Sequence, residues 1–124
     1  EEVKAVWIVL STGWCGVCEN YAPTVQQFYQ DHKADGLRVL WIVGEDNNYN
    51  PPDWPYMEEY AAKKNVSFPI VRDAQFQQVY VYLDPSVPSL PHQYLLDGKT
   101  MELVFKSGGV DEEGENKMLE MLGK

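Results

Sequence analysis

The chain is 124 residues long with a formal net charge of −9, enough for one domain with its own core and too short for two. That charge argues against a nucleic-acid partner, which selects a basic face, and no apolar run is long enough to span a bilayer. It begins Glu1-Glu2-Val3, with neither initiator Met nor leader, and reads as a processed or trimmed product.

Residues 3–10 (VKAVWIVL) are an almost unbroken apolar, β-branched run, which predicts a strand buried on both faces. Ser11-Thr12-Gly13 breaks it. From residue 15 to about 34 the periodicity turns helical, with Tyr21, Val25, Phe28 and Tyr29 on one side. Pro23 inside this stretch predicts a kink, and Gly36 its end. Residues 37–43 (LRVLWIV) predict a second buried strand, and two buried strands joined by a helix make a right-handed parallel βαβ unit.

Residues 44–52 form a polar loop of turn formers, after which Asp53 caps a helix over 54–64. Residues 68–71 predict a short strand. Residues 74–83 predict a helix, against their β-branched and aromatic content, and residues 84–91 a loop holding Pro85, Pro88 and Pro91. Residues 93–96, an Asp97-Gly98 turn and residues 101–106 read as a hairpin. Gly108-Gly109 precede a last helix over 111–122, with Met118, Leu119 and Leu122 inward and Asp111-Glu112-Glu113 matching its dipole. No repeat, low-complexity tract or linker divides the chain.

Cys15 and Cys18 are the only cysteines. A C-x-x-C pair in a βαβ context favours redox chemistry over a structural bridge, because closing so small a loop constrains the unfolded chain little. Cys15 lies at a helix start, where unpaired N–H groups and the helix dipole favour the thiolate that attacks a disulfide. Cys18, three residues on, shares that helix face within bridging reach and is the resolving thiol. Gly16-Val17 place no cation between the thiols, which argues against an extreme oxidant. Trp14 offers an apolar surface to substrate, whereas Trp7, Trp41 and Trp54 read as core or loop packing.

His92 with Cys15 and Cys18 would make a three-ligand set suited to copper or zinc. The chain shows no evident fourth ligand, so no metal and no cofactor is expected; His32 reads as a surface helix residue. Glu45 ends the second strand, where ligand sites of parallel sheets gather, and is the candidate proton acceptor for Cys18. The plainer reading of Glu45 is a solvated loop carboxylate beside Asp46.

These residues resemble the thioredoxin superfamily. Trp14-Cys15-Gly16-Val17-Cys18 looks like its W-C-x-x-C, and Pro23, five residues past Cys18, matches its helix proline. Leu90-Pro91 followed by residues 92–98 (HQYLLDG) resembles the stretch that holds the family's cis-proline, then a strand and a turn. Residues 51–73, ending in FPIVRD, are similar to the TlpA/ResA-like branch of extracytoplasmic thiol–disulfide oxidoreductases. The resemblance implies an α/β, thioredoxin-like fold: a single domain whose central mixed sheet is flanked by helices on both faces. It implies thiol–disulfide exchange on protein substrates, run as a reductase, with an upstream redox partner and a monomeric chain. A cis Leu90–Pro91 bond would leave the Leu90 backbone free to pair with a substrate strand beside Cys15. The implied location is periplasmic or secreted, with tethering through an N-terminal segment preceding this sequence as one arrangement.

Three positions depart from that family's pattern. Val9 stands where many thioredoxins carry a buried acid, and Tyr21 where many TlpA/ResA-like proteins carry Glu, so the usual proton acceptor of the resolving thiol is missing at both. Leu90 replaces the more usual Thr, Val or Ile. Two other classes remain open: a non-catalytic thioredoxin-fold domain that binds a partner or carries a metal, and a peroxidase. For the peroxidase pattern P-x-x-x-T-x-x-C, Thr12 has the right spacing to Cys15, but Ile8 stands where the proline belongs.

Overall fold

The computed structural model describes residues 2–82 and 89–124. In chain order the elements are β1 (Ala5–Ser11), α1 (Gly16–His32), β2 (Leu37–Val43), α2 (Trp54–Lys64), β3 (Ile70–Arg72), α3 (Gln77–Tyr82), β4 (His92–Asp97), β5 (Leu103–Ser107) and α4 (Glu112–Met121). They build one mixed sheet of order β3-β2-β1-β4-β5. β1 is its centre, parallel to β2 with Ala5 opposite Leu37 and Ser11 opposite Val43, and antiparallel to β4 with Leu10 opposite His92. Both of its edges are therefore paired, and both of its faces are covered by core layers, which is why its sequence is apolar on both faces.

Alternation along β1 sorts the core into two layers. Ala5, Trp7 and Val9 point to the side covered by α1, α2 and α4, where they meet Cys18, Val25, Trp41, Tyr60 and Met118. Ile8 and Leu10 point to the other side, where Phe76 and Val79 cover them with Ile42, Tyr94 and Leu96. Helices thus lie on both faces, as the sequence resemblance implies, with three on one side and α3 on the other. One buried polar group crosses the thicker layer. Gln93 accepts from the Trp7 indole at 2.9 Å and donates to Ser107 Oγ at 3.0 Å and Asp111 Oδ1 at 3.3 Å, tying β1, β4, β5 and the start of α4 together.

Several boundaries differ from those predicted. The predicted strand over 68–71 begins only at Ile70. Pro69 has no N–H to place in a ladder, and only its carbonyl is used, accepting from Trp41 N at 3.1 Å. The predicted helix over 74–83 is broken by Gln75 and Phe76, both at positive φ. A 3-10 turn over Ala74–Phe76 precedes α3, whose first amides at Gln78 and Val79 are capped by the Asp73 carboxylate. Leu83 and most of the predicted proline loop, residues 84–88, lie outside the described residues. α1 runs unbroken through Pro23, with Cys15 as its N-cap rather than a helical residue. Asp111 is likewise the N-cap of α4, and Leu119 is half-buried while Met118 and Leu122 are buried.

The Asp97-Gly98 turn is longer than a two-residue hairpin. Asp97 Oδ1 accepts from the N–H groups of Lys99 and Thr100, and β5 starts only at Leu103. A side chain at Gly98 would collide with the Val3 backbone, so the glycine permits a close approach rather than a strained dihedral. Trp7 and Trp41 are buried as expected, whereas Trp54 is exposed and carries the Arg72 guanidinium over its ring at 5.4 Å.

Candidate active site

The loop between β1 and α1 is held from below by the loop that follows β2. Gly44 N donates to Ser11 O at 3.1 Å and Gly13 N to Glu45 O at 2.9 Å, so the β1–β2 ladder is continued into both loops. This zipper delivers Cys15 to the N-terminus of α1, where Cys15 and Cys18 are joined in a disulfide. The Cys18 amide donates to Cys15 Sγ at 3.1 Å, which makes the sulfur the N-cap acceptor. Cys15 retains 6% exposure and Cys18 none. What little exposure the pair has therefore belongs to Cys15. Cys18 is enclosed by the layer that contains Val9, Ala22, Val25 and Tyr60.

Trp14 is 39% exposed beside this bond. Its indole N–H donates to Glu45 Oε1 at 3.0 Å, and its ring stacks on Tyr49 with centroids 4.9 Å apart and planes 24° from parallel. A second support comes from α2. A side chain at Gly13 would overlap the Tyr56 hydroxyl and the Asn47 side-chain oxygen, so these atoms lie directly on the loop backbone. The Tyr56 hydroxyl donates to Asn47 Oδ1. Burial, followed by the neighbouring Tyr60, Asp46, Glu19 and Glu59, pushes this phenol up to about 12, so it stays a hydrogen-bond donor at neutral pH. One turn on, Tyr60 reaches the sheet: it accepts from the Trp41 indole at 2.9 Å and lies 3.4 Å from Ser11 Oγ, which donates to Ile42 O.

β4 begins opposite the end of β1, and the Leu90–Pro91 bond just before it is cis. Leu90 packs on the layer that contains both cysteines. The described end of the sheet therefore brings together Trp14, Cys15, Cys18, Glu45 and the Leu90–Pro91 pair. His92 is buried with its ring 5.0 Å from Tyr94, and among the described residues no three His, Cys, Asp or Glu side chains gather as a metal-ligand set. Thr12 is fully buried, and its hydroxyl has no hydrogen-bond partner among the described residues.

Residues 1–102 match the sequence profile of the AhpC/TSA family. The chain belongs to that family. Among curated relatives, the thiol-disulfide oxidoreductase ResA of Geobacillus kaustophilus is 28% identical over 122 residues, covering 96% of this chain and 63% of the relative. The chain thus spans a little under two thirds of that protein's length. Among solved structures, one assigned as a thiol:disulfide interchange protein DsbE of Chlorobium tepidum superposes with a TM-score of 0.79 at 21% identity, covering 97% of this chain and 81% of the other. StoA of Bacillus subtilis superposes with a TM-score of 0.69, also at 21% identity, over 95% and 83% of the two chains. These likenesses establish the thioredoxin-like fold.

Sequence reasoning did not single out Tyr49, Asn47 or Tyr56. Their trace in the sequence is Gly13, a small residue two positions before Cys15, which signals close approach without saying of what.

Proposed function

We propose that the chain is a thiol–disulfide oxidoreductase acting on protein disulfides, and that it runs as a reductase. The observation that carries this reading is the Cys15–Cys18 disulfide across the first turn of α1, in which Cys15 keeps a little exposure and Cys18 none. In the reduced chain the Cys15 thiolate attacks a substrate disulfide, forming a mixed disulfide and expelling one substrate thiolate. Cys18 then gives its proton to a base and attacks the Cys15 sulfur, expelling the second substrate thiolate. Two electrons pass to the substrate and the chain returns to the oxidised state described above. A dithiol donor must reduce it again.

Trp14 and the Leu90–Pro91 backbone are the proposed substrate contacts. Glu45 is the proposed proton acceptor for Cys18, acting from a loop that is hydrogen-bonded to the Trp14 side chain. An extracytoplasmic location belongs to the same reading and rests on the resemblance to the TlpA/ResA-like branch; among the described residues no helix is long and apolar enough to cross a membrane.

The test is insulin reduction driven by dithiothreitol, alongside the midpoint potential of the cysteine pair. Turnover should vanish in Cys15→Ser. Cys18→Ser should accumulate a mixed disulfide that survives gel electrophoresis without reductant. A potential near the −270 mV of thioredoxin supports the reductase direction, and one near −120 mV reverses it. Undiminished turnover in Cys15→Ser, or stoichiometric metal with no turnover at all, overturns the proposal.

A further inference from the structure

Tyr49 is an unusual residue for its place. Its φ is +66, a left-handed conformation disfavoured for a bulky side chain and easier for Asn, yet Asn48 and Asn50 flank it and the tyrosine occupies it. The residue is 62% exposed and its ring stacks against Trp14, the residue before the nucleophile. A strained backbone that presents a large aromatic to solvent is not explained by core packing.

The electrostatics around this pair run in one direction. Residues 11–22 carry Glu19 and no Lys or Arg, and residues 44–53 carry Glu45, Asp46 and Asp53 and again no Lys or Arg. The cations of the neighbouring α2 and β3 are engaged: Lys63 pairs with Glu59 at 2.6 Å, Lys64 with Glu19 at 3.1 Å, and Arg72 lies over Trp54. Glu45 is hydrogen-bonded to Trp14 itself. Two stacked rings beside carboxylates, on a chain of net charge −9, form a surface complementary to an ammonium or guanidinium group.

We infer that the Trp14–Tyr49 stack, with Glu45 and Asp46, is a recognition surface for polypeptides whose disulfide is flanked by Lys or Arg. This rests on the proposed reductase activity and adds its substrate class. The cationic side chain lies over the exposed face of the Tyr49 ring while the adjacent substrate sulfur meets Cys15. The carboxylates raise the encounter rate and are screened by salt.

The experiment compares three disulfide peptides that differ only in flanking Lys, Ser or Glu, each reduced by the purified, dithiol-reduced chain. Hydroxyethyl disulfide serves as a small neutral control. In low salt kcat/KM should be about 3- to 10-fold higher for the Lys peptide than for the Ser peptide, a ratio suited to a partly exposed cation–π contact with added charge. The Glu peptide should be poorer than the Ser peptide, and the spread should collapse in 0.5 M salt because the Debye length is then only a few ångströms.

Tyr49→Ala should bring the Lys-to-Ser ratio towards one, and Tyr49→Phe should keep it. Asp46→Asn retains an oxygen for the Asn48 and Asn50 amides that Asp46 Oδ1 now holds; it should lower the ratio and flatten its salt dependence. Because each readout is a ratio within one variant, a general loss of folding does not mimic it. Equal rates for the three peptides in the wild-type chain, or an unchanged ratio in Tyr49→Ala, overturn the inference while leaving the reductase reading intact. Failure to reduce even the neutral control overturns both.

Discussion

Gly13→Ala tests whether α2 holds the cysteine-bearing loop. The added methyl would overlap the Tyr56 hydroxyl and the Asn47 side-chain oxygen, and would lie 3.0 Å from the Asn47 backbone nitrogen. Forced overpacking of this kind costs about 1–3 kcal/mol, offset in part by about 0.4–1 kcal/mol from the stiffer unfolded chain. Tyr56→Phe alone removes one hydrogen bond and should cost about 0.5–1.5 kcal/mol. In the double variant the phenol oxygen is gone, so the methyl gains the space it occupied and only the Asn47 overlap remains. The double variant should therefore be more stable than the sum of the single changes predicts, by about 1 kcal/mol. The assay is urea unfolding of the oxidised proteins, compared by midpoint at constant slope. Additivity within about 0.3–0.5 kcal/mol would show that the hydroxyl does not rest on the loop and would remove the physical basis for the clamp.

Replacing Gln93 by Leu keeps similar volume but leaves the buried Trp7 indole N–H without its acceptor; urea unfolding should show a loss of about 1–3 kcal/mol. The Asp97 carboxyl is held below its ordinary value of 3.8, first by the Thr100 amide and then by that of Lys99. A depressed folded value means its contribution is present above pH 3.8 and is lost as pH falls through the lower folded value. The stability gap between wild type and Asp97→Asn should thus be constant from pH 5 to 7 and close at more acidic pH, read from unfolding midpoints across that range. Glu45→Ala should release the Trp14 indole and change its fluorescence, while Glu45→Gln, which keeps an acceptor oxygen, should change it little.

The parts of this fold set by local patterning were readable in the chain. The apolar runs that became β1 and β2, the turn residues between elements and the Trp14–Cys18 pentapeptide each act within a few residues of themselves. What was not readable depends on approach across sequence distance. Tyr49 and Tyr56 look like ordinary loop and helix aromatics until the ladder between β1 and β2 carries their loops together. Pro69 delayed β3, and two residues at positive φ interrupted the predicted helix over 74–83, because backbone constraints outweighed the apolar pattern there. The place of Glu45 at a strand end is legible in the sequence, but its bond to Trp14 depends on the zipper at Gly13.

α2 faces two ways. Tyr60 is stitched into the strands beneath, and one turn earlier Tyr56 presses on the peptide that leads to the sulfurs. Peeling that helix away would undo both attachments at once, so deleting residues 54–64 to reach a smaller domain of the same fold would loosen the very segment it was meant to preserve. The helix that follows the polar loop in the sequence is, mechanically, a buttress.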